Sequence, residues 1–164
     1  MDFFEVVKKR RSIRSYTGEK IPRSDLIKII DAGRYAPSGF NRQGWYFIAI
    51  TEKSMIESIA ELTSSWVANT GAMIAVVMDP ELPFLVHDAS AATENILLAA
   101  TALGYGSCWI EGTTRRVDRE LKHLLLIPDL MQLQTIITLG VPTNWPQGEK
   151  KPLDEVLRWE TYSS

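Results

Sequence analysis

Residues 88–103, DASAATENILLAATAL, predict the helix around which the rest of the fold is organised. Asp88 favours the start of a helix, and Gly104 favours its end. Small and apolar side chains occupy nearly every side of this helix, which is typical of a helix buried all round. A chain of 164 residues has little room for such a helix in its own core. We therefore expect a second copy of the chain to cover part of it.

The surrounding elements predict an α+β domain with three layers, α/β/α, and a mixed, mostly antiparallel sheet. Aromatic and β-branched runs predict strands at residues 45–51, 73–78, 106–110 and 134–141. Apolar periodicity and capping residues predict further helices at 2–11, 24–34, 53–62, 117–125 and 153–159, with Asp2 and Ser24 as caps. We expect one domain over residues 1–164, with 142–164 as a C-terminal tail.

Composition excludes several classes of protein. The chain is 45% hydrophobic, which is enough for a folded core. Its 18 basic and 20 acidic residues give a net charge of -2, so general nucleic-acid binding is not expected. The single cysteine, Cys108, excludes an internal disulfide and suits a reducing cytoplasm. No apolar run is long enough for a signal peptide or a membrane span. We expect a cytoplasmic protein that does not bind membranes.

Five of the basic residues lie together in residues 8–16, KKRRSIRSY, which we call the basic segment. Basic side chains are favoured at a helix C-terminus, so the segment could be a solvated helix end. It could also bind a polyanion, although no second basic cluster extends it. A third interpretation is a site for one phosphate, because arginine forks and a serine hydroxyl match phosphate oxygens. Spacing alone does not choose between these interpretations.

Two further stretches carry features of a ligand site. Residues 36–46, APSGFNRQGWY, predict a tight turn in which Asn41 and Gln43 each offer a paired donor and acceptor to a heterocycle. Residues 104–112, GYGSCWIEG, contain three glycines that allow a flat ligand to approach the backbone. An ordinary polar loop and an ordinary helix end followed by a strand are the alternatives for these two stretches.

Together these stretches resemble the FMN-dependent nitroreductase family. The motifs occur in the family's order as RRSIR (10–14), APSGFNRQGW (36–45), DASAATEN (88–95), GYGSCWIEG (104–112) and KKPLDEV (150–156). The resemblance extends from Phe4 to about Trp159. It departs from the family at Gly44, where proline is usual. The segment 52–71 is also short, so this resembles a compact member.

The resemblance implies an intertwined homodimer with FMN at the subunit interface. Arg10, Ser12 and Arg11 are implied to hold the FMN phosphate, with Lys150 or Lys151 completing that site, and Arg14 is implied to lie at the pyrimidine side of the flavin. The implied contacts from the partner subunit are Pro37, Ser38, Gly39 and Asn41. Ile110, Glu111 and Gly112 are implied to lie against the isoalloxazine, with the Glu111 amide near N5. The tail is implied to pack on the partner.

The implied activity is hydride transfer from NADH or NADPH through FMN to a nitroaromatic, quinone or similar small acceptor, in a ping-pong cycle. We expect no catalytic side-chain acid or base, because the flavin carries the chemistry. We expect no metal site, because two histidines and one cysteine form no ligand cluster. The alternatives are an FMN-binding protein without turnover and a specialised reaction such as flavin destruction or reductive dehalogenation.

Overall fold

The computed structural model describes residues 1–163 as a four-stranded sheet with helices on both sides. The strands are β1 Trp45–Ile50, β2 Ala72–Met78, β3 Gly106–Ile110 and β4 Gln132–Gly140. The helices are α1 Phe3–Lys9, α2 Arg23–Arg34, α3 Lys53–Leu62, α4 Leu85–Ala102, α5 Gly112–Arg116, α6 Asp118–Leu124 and α7 Leu153–Val156. Short 3₁₀ turns occur at Gly39–Asn41 and Ser65–Asn69.

The sheet has the order β1-β2-β4-β3, and all three pairings are antiparallel. Every residue of β2 is buried, which explains its uninterrupted apolar sequence. The pairing of β2 with β4 contains a bulge between Val76 and Val77. A bridge from Ser12 to Ser107 adds one parallel contact at the outer side of β3. The expectation of a mixed, mostly antiparallel sheet is confirmed.

Two apolar clusters lie on opposite faces of the sheet and give the three expected layers. Ile74 and Ile137 face α2 and α4 in the first cluster. Met73 and Ile136 face α3 and α6 in the second. Neighbouring residues of one strand point to opposite faces, so each central strand contributes side chains to both clusters.

Helix α4 differs from the sequence prediction in two respects. It begins at Leu85 rather than at Asp88, and Phe84 precedes it without a side-chain cap. Within one chain, every residue from Asp88 to Thr101 is buried or half-buried. The sheet and helices α1 and α2 pack against it. One chain therefore packs most of the apolar side chains of this helix, whereas Leu98 stays half-buried and Ala102 and Leu103 are exposed. Covering of the helix by a second copy of the chain stays a prediction.

Other element boundaries shifted for local reasons. Asp2 caps α1 in a capping box with Glu5, as its position predicted. Helix α2 instead starts at Arg23 after Pro22, and Ser24 makes no capping bond. Helix α5 was not predicted, because its sequence GTTRR has no apolar periodicity.

The tail beyond β4 is largely exposed. Helix α7 buries no residue, and Leu153, Val156 and Trp159 are exposed to solvent. Among residues 1–163, no helix combines the length and the apolarity that crossing a lipid bilayer requires.

Candidate functional site

The basic segment lies between strand β3 and the first residues of the tail. The Ile13 amide donates to the Ser107 carbonyl over 2.8 Å, and Ile13 is buried. On the other side, Tyr16 pairs with Pro142. The extended backbone turns Ser12 and Arg14 to the surface while Ile13 points inward. The segment is therefore fixed along the sheet and is more than a solvated helix end.

Close backbone contacts hold this arrangement. A Cβ on Gly106 would lie 2.8 Å from the Ile13 side chain, so only glycine fits at this position of β3. The Tyr16 hydroxyl donates to the Ile13 carbonyl over 2.7 Å and lies 2.9 Å from the Thr138 hydroxyl. Burial raises the pKa of Tyr16, although the bond to Thr138 opposes this effect.

Arg10, Ser12 and Arg14 occupy alternate positions of the segment that pairs with the outer side of β3 at Ser107. Burial raises the pKa of the Cys108 thiol, while Arg14, a hydrogen bond with Ser12 and Arg10 each act to lower it. Arg10 is half-buried, and its Nε lies 3.4 Å from Glu94 Oε1 on α4. Two guanidinium groups and one hydroxyl at one surface form a donor set that suits a phosphate dianion.

Arg11 has different partners from those that the resemblance implies. Its Nη1 donates to the carbonyls of Lys8 (2.6 Å) and Arg10 (2.8 Å), and its Nη2 donates to the Gly148 carbonyl (3.0 Å). The end of α1 leaves carbonyls without helical partners, and a neighbouring arginine satisfies them. Arg11 thus connects the basic segment to the tail, where Lys150 and Lys151 follow as exposed residues.

The loop at residues 36–43 is held by Asp88, a buried residue in the first turn of α4. The Gly39 amide donates to both carboxylate oxygens of Asp88, over 3.1 and 3.3 Å, and the Gln43 amide donates to Ser38 Oγ over 3.0 Å. The predicted capping role of Asp88 is wrong, since this carboxylate supports the loop instead. Sequence analysis missed this role because the two groups are 49 residues apart.

Backbone strain is concentrated in the same loop. Phe40, Asn41 and Gln43 have φ of 54°, 56° and 52°, although none is glycine. Strain of this kind persists where the surrounding structure imposes it, and it often marks a binding site. Phe40 is 82% exposed, and its ring lies 6.3 Å from that of Phe84. Within residues 1–163, no hydrogen bond joins this loop to the basic segment.

The turn after β3 provides an open surface. Ile110 is buried at the end of the strand, and Glu111 forms an ion pair with Arg115. A Cβ on Gly112 would meet no atom within 4 Å, unlike the crowded position of Gly106. The open space at Gly112 leaves room for a flat ligand against the backbone. Residues 1–163 contain no group of three His, Cys, Asp or Glu side chains that could hold a metal ion.

Comparison with known protein families matches residues 7–82 and 66–141 to the nitroreductase family. A relative from Archaeoglobus fulgidus, provisionally named NADH dehydrogenase/NAD(P)H nitroreductase, is 41% identical over an alignment of 142 positions. That alignment covers 81% of this chain and 81% of the relative. An iodotyrosine deiodinase from Thermotoga neapolitana is 25% identical over an alignment of 187 positions, which covers 97% of this chain and 98% of that protein.

The structural comparison agrees with the sequence comparison. A crystal structure from Desulfovibrio desulfuricans, of a protein provisionally named a nitroreductase and in complex with FMN, matches with a TM-score of 0.88 at 29% identity. The match covers 99% of this chain and 98% of that chain. The family match begins at Val7 and spans most of the sequence. It includes all four strands and the whole basic segment. This chain therefore belongs to the nitroreductase family.

Proposed function

We propose that this protein is an FMN-dependent oxidoreductase that takes electrons from NADH or NADPH. The observation that carries the proposal is the position of Arg10, Ser12 and Arg14 at alternate residues of a segment that the Ser12–Ser107 bridge and the Ile13–Ser107 hydrogen bond hold beside β3. The family, the NAD(P)H nitroreductase name of the Archaeoglobus relative and the FMN complex of the Desulfovibrio protein support the same cofactors.

The phosphate would be held by Arg10 and Ser12. Arg10 is half-buried, so its charge is less screened by water than that of an exposed arginine. Lys150 or Lys151 adds a further positive charge from the tail. Arg11 contributes indirectly, because its Nη groups already donate to three backbone carbonyls.

The flavin ring would extend from the phosphate donors toward Ile110, Glu111 and Gly112. Bound FMN supplies two-electron hydride chemistry, so that NAD(P)H and an acceptor can use one site in turn, which is the ping-pong order that we propose. Arg14 provides positive charge at the pyrimidine side, and we assign the Glu111 backbone N–H as the donor toward N5. No side-chain acid or base is required of this chain.

We propose a homodimer in which Pro37, Ser38, Gly39 and Asn41 contact the cofactor bound mainly by the other subunit. Two observations support this arrangement. The loop is strained and exposed, and no hydrogen bond within residues 1–163 joins it to the basic segment of its own chain. Within the tail, residues 142–164 of a single domain, Thr143, Trp145 and Gly148 contact their own chain, so the apolar side chains that follow would pack on the partner.

Nitroaromatics, quinones and similar small molecules are the proposed acceptors. The Thermotoga relative favours one second candidate, reductive dehalogenation of an aromatic substrate, since it matches this chain over nearly its full length. An FMN-binding protein without turnover is the remaining alternative.

An anaerobic spectroscopic titration tests the proposal. Purified protein is incubated with FMN, desalted, and titrated with NADH and then with NADPH. We expect a retained flavin band that bleaches with one donor and returns when a nitroaromatic or quinone is added. A retained band that bleaches with neither donor would favour the binding protein without turnover. Return of the band only with an iodinated phenol would favour dehalogenation.

A further inference from the structure

Two side chains donate to carbonyls at the C-terminal end of α1, one from the adjacent Arg11 and one from the distant Trp145 of the tail. Arg11 donates to the carbonyls of Lys8 and Arg10, and Trp145 Nε1 donates to the Lys9 carbonyl over 2.6 Å. The last carbonyls of a helix have no helical partners, so these three consecutive groups depend on such donors. The tail is thus part of the structure that ends α1.

Further contacts of Arg11 and Trp145 hold the tail against the end of α1 and the basic segment. Arg11 Nη2 donates to the Gly148 carbonyl over 3.0 Å, and a Cβ on Gly148 would lie 3.3 Å from Arg11 Nε. The Lys9 ammonium lies 4.7 Å from the centre of the Trp145 ring, within the range of a cation–π contact. Two residues before Trp145, the Thr143 amide donates to the Ser15 carbonyl over 3.1 Å.

We infer that Arg11 and Trp145 form an anchor that fixes the tail beside the phosphate-binding residues, so that Arg11 is a positioning residue and not a phosphate ligand. Lys150 follows the anchored Gly148 by two residues, while Arg10 precedes Arg11 directly. Holding Gly148 on Arg11 therefore limits how far the tail lysines can move from Arg10. This inference rests on the proposed binding of FMN and names the residues that organise its phosphate site.

The test compares FMN with riboflavin, which lacks the phosphate. Flavin-free protein is titrated with each flavin by fluorescence for wild type, Arg11→Ala, Trp145→Phe and the double variant. Trp145→Phe keeps an aromatic ring and every charge but removes the bond to the Lys9 carbonyl. Arg119→Ala removes one exposed arginine at another part of the surface and is the matched control.

We expect each single variant to weaken FMN binding by about tenfold, the size of one lost charge-assisted contact. Riboflavin binding should change little. The double variant should lose no more affinity for FMN than the more strongly affected single variant. Hydrogen exchange in residues 143–150 of the flavin-free protein should accelerate in both single variants. Arg119→Ala should match wild type in all three measurements.

If Arg11 contacts the phosphate directly, Arg11→Ala will weaken FMN binding while Trp145→Phe will not, and that result would overturn the inference. Unchanged exchange in the tail of both variants would also overturn it. Failure of wild type to prefer FMN over riboflavin would instead contradict the proposed function. The exchange measurement, which uses no flavin, would still decide whether the anchor exists.

Discussion

At the scale of single residues, Arg10 and Arg11 show how two identical neighbours acquire different roles. Arg11 lies directly after the helix end and satisfies carbonyls there, while Arg10 reaches Glu94 on α4. A sequence motif assigns both to one phosphate, because spacing carries no information about which donors are already occupied. The hydrogen bonds engage both Nη groups of Arg11, while its buried Nε has no partner within residues 1–163, and the separate roles are the proposal made above.

The buried Cys108 thiol should make the free energy of unfolding fall as the pH becomes alkaline. Burial raises the pKa of its thiol above the unfolded value of about 8.5. The linked stability is fully present below that value and falls as pH rises, because the unfolded thiol then loses its proton first. The loss of unfolding free energy between pH 7.5 and 9.5 should be smaller in Cys108→Ala, by up to about 1.4 kcal/mol. Urea titrations at both pH values measure this difference, and equal losses in both proteins would contradict it.

Gly106, the first residue of β3, and Gly112, which lies after the strand, should respond differently to substitution by alanine. Gly106→Ala forces a Cβ against Ile13 and should lower the unfolding free energy by about 1–3 kcal/mol. Gly112→Ala meets no atom of the chain, so its unfolding free energy should change by less than about 0.5 kcal/mol. FMN binding should nevertheless weaken by about tenfold or more in Gly112→Ala if the flavin lies there.

Denaturant titrations and flavin titrations of the two glycine variants separate these effects. Normal FMN binding by a stable Gly112→Ala protein would remove the turn after β3 from the cofactor site. A Gly106→Ala protein as stable as wild type would show that the basic segment can move away from β3 at little cost.

At the scale of elements, α4 links the core to the site. Its buried side packs on the sheet, its first turn holds the loop through Asp88, and its middle turn presents Glu94 to Arg10. The apolar pattern predicted the existence and burial of this helix. Its start at Leu85 and the contacts of its two carboxylates depend on residues distant in sequence, so local patterns could not predict them.

Removing the Asp88 carboxylate should loosen the strained loop. Asp88→Ala leaves the Gly39 amide without its acceptor, which should lower the unfolding free energy by about 1–3 kcal/mol. Hydrogen exchange at residues 38–43 should accelerate by more than the global destabilisation explains. Glu61→Ala, an exposed acidic position on α3, should leave both measurements unchanged. Unaltered exchange in the loop of Asp88→Ala would show that other contacts impose its conformation.

At the scale of the whole molecule, the sequence predicted the three layers, the four strands and their approximate positions. Periodicity and turn residues carry that information locally. The order of strands in the sheet and the position of the basic segment beside β3 required tertiary contacts. The argument for a dimer also changed, because one chain already packs most of α4, and it now depends mainly on the exposed tail and the strained loop.

The tail provides the test of assembly. A chain that ends at Lys151 keeps Lys150 and Lys151 but loses exposed apolar side chains that include Leu153 and Trp159. We expect the full chain to sediment as a dimer and the shortened chain to dissociate at least about thirtyfold more readily, as for loss of one aromatic interface anchor. Trp159→Ala should weaken the dimer in the same direction. A shortened chain that dimerises as tightly as the full chain would contradict packing of the tail on the partner.

The central claim is that the basic segment binds the phosphate of FMN, and the ratio of FMN affinity to riboflavin affinity tests it most directly. Fluorescence titration of the flavin-free protein measures both constants. Because two charge-assisted contacts would be lost with the phosphate, we expect wild type to bind FMN at least about a hundredfold more tightly. Arg10→Ala should reduce that ratio by about tenfold or more. Equal affinity of wild type for the two flavins, or an Arg10→Ala ratio equal to that of wild type, would contradict the claim.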